Sequence, residues 1–299
     1  MKKLYIQSLL ILFTVNASFA QQWMTDLKIA QSLAQVQNKM VLMVWEETTQ
    51  YEYPVLVNDD SGRTILITNL FDDQNVSPLI WKHFVPVIVN ENKYADLYEE
   101  IRGKRKQTYI DKFNDDSIKI MDVNGNIINV NYYTEEFQNI SRIIESYSIN
   151  TRIIENEIEG YKKEKTFYTS YYLAAKYLDM ALYVNKNVRP NIMALSDIYL
   201  NEAISFLEGQ KPADRVILKQ RCDLLKIQQA LILKRSRKAL RQLKKIKAEA
   251  IEKSNLPFIS FLYFTAYISL NEPENAELWK SNISSVNLKK AWFIINLNK

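Results

Sequence analysis

The spacing of apolar residues changes character near residue 150. Before that point, short apolar runs alternate with amphipathic segments. Leu27, Ala30, Leu33 and Ala34 fall on one face of a helix predicted over residues 28–38, and Thr25 or Asp26 stands where it can cap the first turn. Met40–Trp45 is a continuous apolar run, the pattern of a strand covered on both faces of a sheet. Residues 53–57 and 64–69 read as short strands around the turn Asn58-Asp59-Asp60-Ser61-Gly62. A short helix is predicted over 77–83. A second strong strand follows over 84–90, with Pro86 at its start or at an unpaired donor position. Tyr94–Ile101 reads as a helix stopped near Gly103. Residues 117–122 and 126–131 read as two strands joined at Val123-Asn124-Gly125, because Asn-Gly between alternating strands is a strong hairpin signal. Residues 135–147 close this half as an amphipathic helix that buries Phe137, Ile140, Ile143 and Ile144.

Beyond Ile153 the strand signals cease. Residues 168–184 carry Tyr171, Tyr172, Ala174, Ala175, Leu178, Ala181 and Leu182, a wide apolar stripe with small residues that permit close helix contact. Further helices are predicted over 191–207, 214–234, 237–253, 258–270 and 288–297. Paired helices with Ala and Tyr at packing positions resemble tetratricopeptide-type hairpins, and a plain helical bundle fits the same pattern.

The first segment has the pattern of an export signal. Lys2 and Lys3 precede a mostly apolar run over residues 4–13, and Ala17-Ser18-Phe19-Ala20 supplies a small-x-small cleavage site. Cleavage after Ala20 leaves Gln21 as the mature start; the alternative is an uncleaved anchor. The run is shorter than the ~20 residues a membrane span requires. The residue directly after the cleavage site is Gln21 and not a cysteine, which excludes lipid attachment at a new N-terminal Cys. Export to the periplasm or cell envelope of a bacterium is expected. Residues 1–20 would be the signal peptide, and 21–150 and 151–299 two domains.

Charge divides at the same place. Residues 21–150 hold 12 Lys and Arg against 19 Asp and Glu, a net of −7, whereas residues 151–299 hold 25 against 15, a net of +10. Such asymmetry concerns interaction surfaces rather than fold, and the two halves can attract each other. Glycine is scarce, with 5 residues, and no Gly-rich phosphate loop occurs.

Part of this pattern is familiar. Trp23 before a helix, then Lys39 and the strand Met40–Trp45, resembles the opening of exported proteins of the thioredoxin-like superfamily. Phe84-Val85-Pro86-Val87-Ile88-Val89-Asn90 resembles their second core strand. Ser117-Ile118-Lys119-Ile120-Met121-Asp122-Val123-Asn124-Gly125 resembles the strand-turn that the family writes as Pro-Thr-x-x-x-x-Asp-x-x-Gly. The resemblance covers about residues 22–147. It implies an α/β thioredoxin-like domain, a central mixed sheet flanked by helices, followed by an all-α helical-hairpin domain.

Two departures from the family pattern set the functional expectation. The redox cysteine pair belongs just after Trp45, where Glu46-Glu47-Thr48-Thr49-Gln50-Tyr51-Glu52-Tyr53 stands instead. The family's cis-proline belongs at about position 116, where Asp116 precedes Ser117; a non-proline cis bond costs ~2.5–4 kcal/mol, so a trans turn is expected. Trp45, Gln50, Tyr53, Asp116 and Ser117 thus mark a degenerate redox site. The one cysteine, Cys222, lies far away in a helical pattern and has no partner for a disulfide. It reads as a small buried hydrophobe; the alternative is a reactive thiol favoured by Arg221.

Other chemistry is sparse. With a single histidine, His83, typical zinc and Ser-His-Asp sites are closed. The acidic pairs Asp59-Asp60, Asp72-Asp73, Glu99-Glu100 and Asp115-Asp116 lack calcium-loop spacing and read as solvated loops or caps. Asp122-Val123-Asn124-Gly125-Asn126 reads as a hairpin turn rather than a calcium loop. No catalytic residue, cofactor or metal is predicted. One helix stands apart: Lys234, Arg235, Arg237, Lys238, Arg241, Lys244, Lys245 and Lys247 place eight cations within fourteen residues. They form either a solvated helix face or a surface for an anionic partner, whether the acidic N-terminal half, an acidic protein or a phospholipid surface. Export argues against nucleic acid. The expected function is a redox-inactive, non-catalytic binding or scaffolding module with a protein partner in the cell envelope. The alternative is residual thiol-dependent activity through Cys222.

Overall fold

A computed structural model describes residues 22–130, 137–247, 249 and 251–297. The export-signal expectation falls on residues outside these. The chain divides into two compact units, one ending at Asn150 and the other beginning at Thr151. The first is α/β with small mixed sheets and the second is helical. No helix among the described residues is long and apolar enough to cross a membrane.

The first unit runs α1 (Leu27–Gln37), β1 (Met40–Trp45), β2 (Val55–Asn58), β3 (Thr64–Ile67), α2 (Val76–His83), β4 (Phe84–Val89), α3 (Tyr94–Ile101), α4 (Gln107–Asn114), β5 (Lys119–Met121), β6 (Gln138–Asn139) and α5 (Ile140–Tyr147). Asp26 caps α1 by accepting the Ile29 amide at 2.9 Å. Asn38 ends that helix in the left-handed region at φ 55°. Every residue of β1 is buried, as its unbroken apolar run predicts. β1 pairs in parallel with β4 on one side and antiparallel with β5 on the other. Single bridges extend this sheet: Met24 lies parallel to Val87, and Ile127 lies antiparallel to Met121. Ile88 donates to Met24 O at 2.8 Å on the edge side of β4. Pro86, two residues earlier, turns the same way, so its missing donor falls on the side where only Met24 pairs.

The two strands expected around the turn at Asn58–Gly62 pair as the hairpin β2–β3, which forms a second sheet, order β3-β2-β6, with β6 parallel to β2. The burial of β2 and β3 is partial and β3 is largely exposed, which suits an open one-sided sheet and not a row covered on both faces. Of the strand expected over 126–131, residue 131 lies outside the described residues and residues 126–130 do not form a continuous strand: only Ile127 bridges. The Asn129 side chain takes over the ladder, accepting from Ile120 N at 2.7 Å and donating to Ile118 O at 2.9 Å. The predicted helix over 135–147 begins only at Ile140, after β6; residues 135 and 136 lie outside the described residues. Helix α4 had no counterpart among the predicted elements, although Tyr109, Ile110 and Phe113 give it a buried face.

The second unit contains α6 (Glu155–Lys163), α7 (Phe167–Met180), α8 (Arg189–Ser205), α9 (Pro212–Ile232), α10 (Ser236–Leu243), α11 (Leu256–Ser269), α12 (Pro273–Lys280) and α13 (Ser285–Leu297). α7 and α8 form a hairpin in which Tyr177 and Tyr199, both fully buried, stack at 5.4 Å. α11 is apolar on nearly every side and touches α10, α12 and α13. α13 reaches back to α7, where Lys290 meets Asp179 at 2.6 Å, and its Phe293 touches Tyr183 at 5.3 Å. The basic helix predicted over 237–253 is much shorter, ending at Leu243. Its like charges sit three and four residues apart and oppose helix propagation, so α10 extends only as far as Ala239, Leu240 and Leu243 are buried.

Candidate functional site

The segment after β1 is a 3-10 turn, Glu46–Gln50. Its entrance is sealed by aromatic packing. The Trp45 indole donates from Nε1 to Phe113 O at 2.9 Å, and its ring meets Phe113 edge-on at 5.3 Å and Tyr94 at 5.7 Å. α4, which supplies Phe113, therefore closes the space beside the turn. Gln50 is exposed at the far end of the turn and meets none of the other marked residues. Tyr53 is brought close: its hydroxyl donates to Gln138 Oε1 at 2.5 Å, and the same oxygen accepts from Ile118 N at 2.9 Å. Burial, and then the Asp115 carboxylate, pushes the Tyr53 hydroxyl far above the usual phenol range.

The turn before β5 holds an ionic cluster the sequence reading passed over. Lys119 is fully buried in the central sheet, opposite Met43. Its Nζ donates to the main-chain carbonyl of Asp115, to Asp115 Oδ1 at 3.2 Å and to Ser117 O at 2.9 Å. All three ammonium protons are thereby used. Lys112, 8% exposed in its side chain, reaches the same turn from α4, where it donates to Ser117 Oγ and stands 3.7 Å from Asp115 Oδ2. Ser117 in turn donates from its hydroxyl to Asp115 Oδ1 at 2.5 Å. Asp116 is exposed and stays out of the cluster. All described peptide bonds are trans.

Two cations thus share one carboxylate. Burial pushes Asp115 up, but Lys112, the Ser117 hydroxyl and Lys119 together hold it below the ordinary carboxylate range. Burial lowers Lys119 to about 8 against the pull of Asp115, with Lys112 adding to the drop; Lys112 is lowered by burial too. Neither lysine is free to meet a substrate, and the arrangement ties the Asp115–Ser117 turn to the sheet. The signal for it was present: Lys119 interrupts an otherwise apolar strand four residues beyond an aspartate.

Elsewhere the single-residue candidates have structural partners. Cys222 is fully buried in α9, and burial, followed by the nearby Asp223, raises its thiol to about 11. Arg221 points to Tyr171, its guanidinium 5.9 Å from the ring centre. His83 Nδ1 lies 2.8 Å from Ser148 Oγ. Asp122 Oδ1 accepts from Asn124 N at 3.0 Å and Asn126 N at 2.8 Å, closing the hairpin turn. No cluster of three or more metal-ligating side chains occurs among the described residues.

The basic segment behaves differently. Lys234, Arg235, Arg237, Lys238, Arg241, Lys244, Lys245 and Lys247 are all exposed. Two adjoining clefts lie against them. One, of about 440 Å³, is lined by Arg237, Leu240, Arg241, Lys244, Lys245, Leu270 and Glu272. The other, of about 350 Å³, has Lys234, Arg235, Arg237 and Lys238 facing Ile268, Leu270 and Ile295. All five residues marked for an anionic partner line one cleft or the other, and Arg237 and Leu270 line both.

Compared with family models, with curated proteins and with solved structures, the chain finds no significant match.

Proposed function

We propose that this chain is an exported protein of the bacterial cell envelope whose first unit is a redox-inactive, thioredoxin-like domain, and that it works as a non-catalytic binding or scaffolding module. The row order Met24, β4, β1, β5, Ile127, parallel at first and antiparallel at the end, supports the thioredoxin-like reading, since it is a central mixed sheet with helices beside it. The observation that carries the functional reading is the filled redox position. Trp45 and Phe113 close the space after β1, and the buried Lys112–Asp115–Lys119 cluster occupies the turn opposite. The thiol alternative finds no support at Cys222, which is buried and held protonated at neutral pH.

Insulin reduction by the full chain, with and without Cys222→Ser, tests this. Turnover at the uncatalysed rate in both is expected; reduction that disappears in the variant would overturn the non-catalytic reading. Export is tested separately by the mass of the protein recovered from the periplasm of an expressing bacterium. Cleavage after Ala20 is expected, and retention of the full-length chain in the cytoplasm would count against it.

A further inference from the structure

The two basic clefts form one groove between α10 and the C-terminal end of α11. Three features separate it from an ordinary solvated helix face. First, Arg237, Lys238, Arg241 and Lys245 have no ion-pair partner among the described residues, although Glu272 lines the same groove. Second, Arg237 and Lys238 occupy the first turn of α10, where the helix dipole is positive and cations are locally unfavourable. Helix electrostatics does not account for them there. Third, the wall facing the cations carries apolar side chains, Ile268, Leu270 and Ile295, set among Ser269, Asn271 and Glu272.

The shape and chemistry select among anions. A bilayer-binding helix needs a free apolar face, but Ala239, Leu240 and Leu243 of α10 are consumed in the core of the unit. A compact oxyanion needs converging donors. Here the cations are strung along the wall from residue 234 to 245, with a carboxylate among them. At 1.5 Å per residue α10 offers about 12 Å of wall, the length of roughly four residues of extended chain at 3.3 Å each. In such a chain successive side chains point to opposite sides. One side can meet the arginines and lysines while the other meets Leu270 and its neighbours.

We infer that the groove binds an extended acidic polypeptide segment in which carboxylates alternate with apolar side chains. This rests on the reading of the protein as a binding module and names the kind of partner it takes. The test titrates the full chain into a fluorescein-labelled eight-residue peptide of alternating Asp and Leu and reads anisotropy at low salt and at 0.15 M salt. Saturable one-to-one binding is expected, weakening with salt. The double variant Arg237→Glu/Arg241→Glu should lose at least tenfold in affinity with its urea midpoint unchanged, and Leu270→Asp should lose severalfold. No binding at low salt, or binding indifferent to the charge reversal, would overturn the inference. So would equal or tighter binding of an all-Asp peptide, pyrophosphate or phosphatidylglycerol vesicles, each of which would assign the groove to bare charge. Because insulin reduction does not involve this groove, failure here and failure of the non-catalytic reading give different results.

Discussion

Lys119 gives the sharpest quantitative test of how the first unit is built. A lysine with no exposed surface, lowered to about 8, releases its proton in the folded protein well before it does in the unfolded chain at 10.5. Between those values the unfolded state carries a proton on residue 119 that the folded state has lost. Unfolding then takes up a proton, and stability rises with pH. The interval from 8 to 10.5, at 1.36 kcal/mol per pH unit, sets a ceiling of about 3 kcal/mol, and about 2–3 kcal/mol is expected by pH 10. Lys112 and Lys39, both also lowered by burial, act in the same direction. Above pH 10 the sign reverses. Burial raises Tyr109 to about 12 and Tyr53 further, so the unfolded chain loses those phenol protons first and the fold weakens. The first unit should therefore be most stable near pH 10.

Urea titrations of the full chain from pH 7 to 11 would measure this, read by hydrogen exchange on peptides covering β1 and β5 and corrected for the intrinsic exchange rate at each pH. Lys119→Met keeps most of the buried side-chain volume and removes the titrating group. It should flatten most of the rise between pH 8 and 10 while leaving the fall above 10. A flat wild-type profile over 8–10, or a rise that survives in Lys119→Met, would refute the assignment of a strained, charge-bearing lysine to this turn.

Other substitutions probe the remaining devices. Asn129→Ala strands a buried amide and a buried carbonyl and should cost about 2 kcal/mol or more in urea unfolding. Asn129→Asp should be worse, because a carboxylate would face Ile118 O. Gly125 sits at φ +85° with its Cβ position 2.8 Å from the end of the Gln31 side chain; Gly125→Ala should lose about 1–2 kcal/mol, mostly as backbone strain, by the same measurement. Cys222 should be inert to a thiol reagent such as dithionitrobenzoate in the native protein and release one equivalent in 6 M guanidinium, at the denaturant concentration usual for full unfolding. Fast native labelling would show that α9 exposes it. In the second unit the raised Cys222 thiol, joined by Tyr171, makes stability fall as pH rises beyond 9, opposite to the first unit between 9 and 10.

Elements whose apolar pattern was strong could be read from the sequence, and those held by particular side chains could not. β1 and β4 are continuous apolar runs and lie where the pattern puts them. The α7–α8 hairpin likewise follows from its Ala and Tyr stripe. By contrast, nothing periodic in residues 126–131 tells that an asparagine side chain replaces a strand's ladder at Asn129. The long basic helix was misjudged because Leu243, Ile246 and Ala250 keep helical spacing. That spacing is silent about repulsion among the cations between them. Of the five residues that the family resemblance marks, Trp45, Tyr53 and Ser117 have buried or half-buried partners, whereas Gln50 and Asp116 face solvent. Position along the chain could not separate these two sets, since only the fold shows which side chains turn inward.

The ionic cluster also explains how the turn before β5 is held without a proline. That turn has to present main-chain carbonyls to the interior, where bare acceptors are costly. Lys119 meets two of them with its own ammonium, Asp115 offsets that charge, and Lys112 joins the same carboxylate and the Ser117 hydroxyl. A buried pair of this kind stabilises little by itself, because desolvation offsets most of the Coulombic gain. Its effect is to fix one geometry for the turn. The charges of this turn are thus committed to structure, whereas the cations from Lys234 to Lys247, on α10 and the turns flanking it, are exposed.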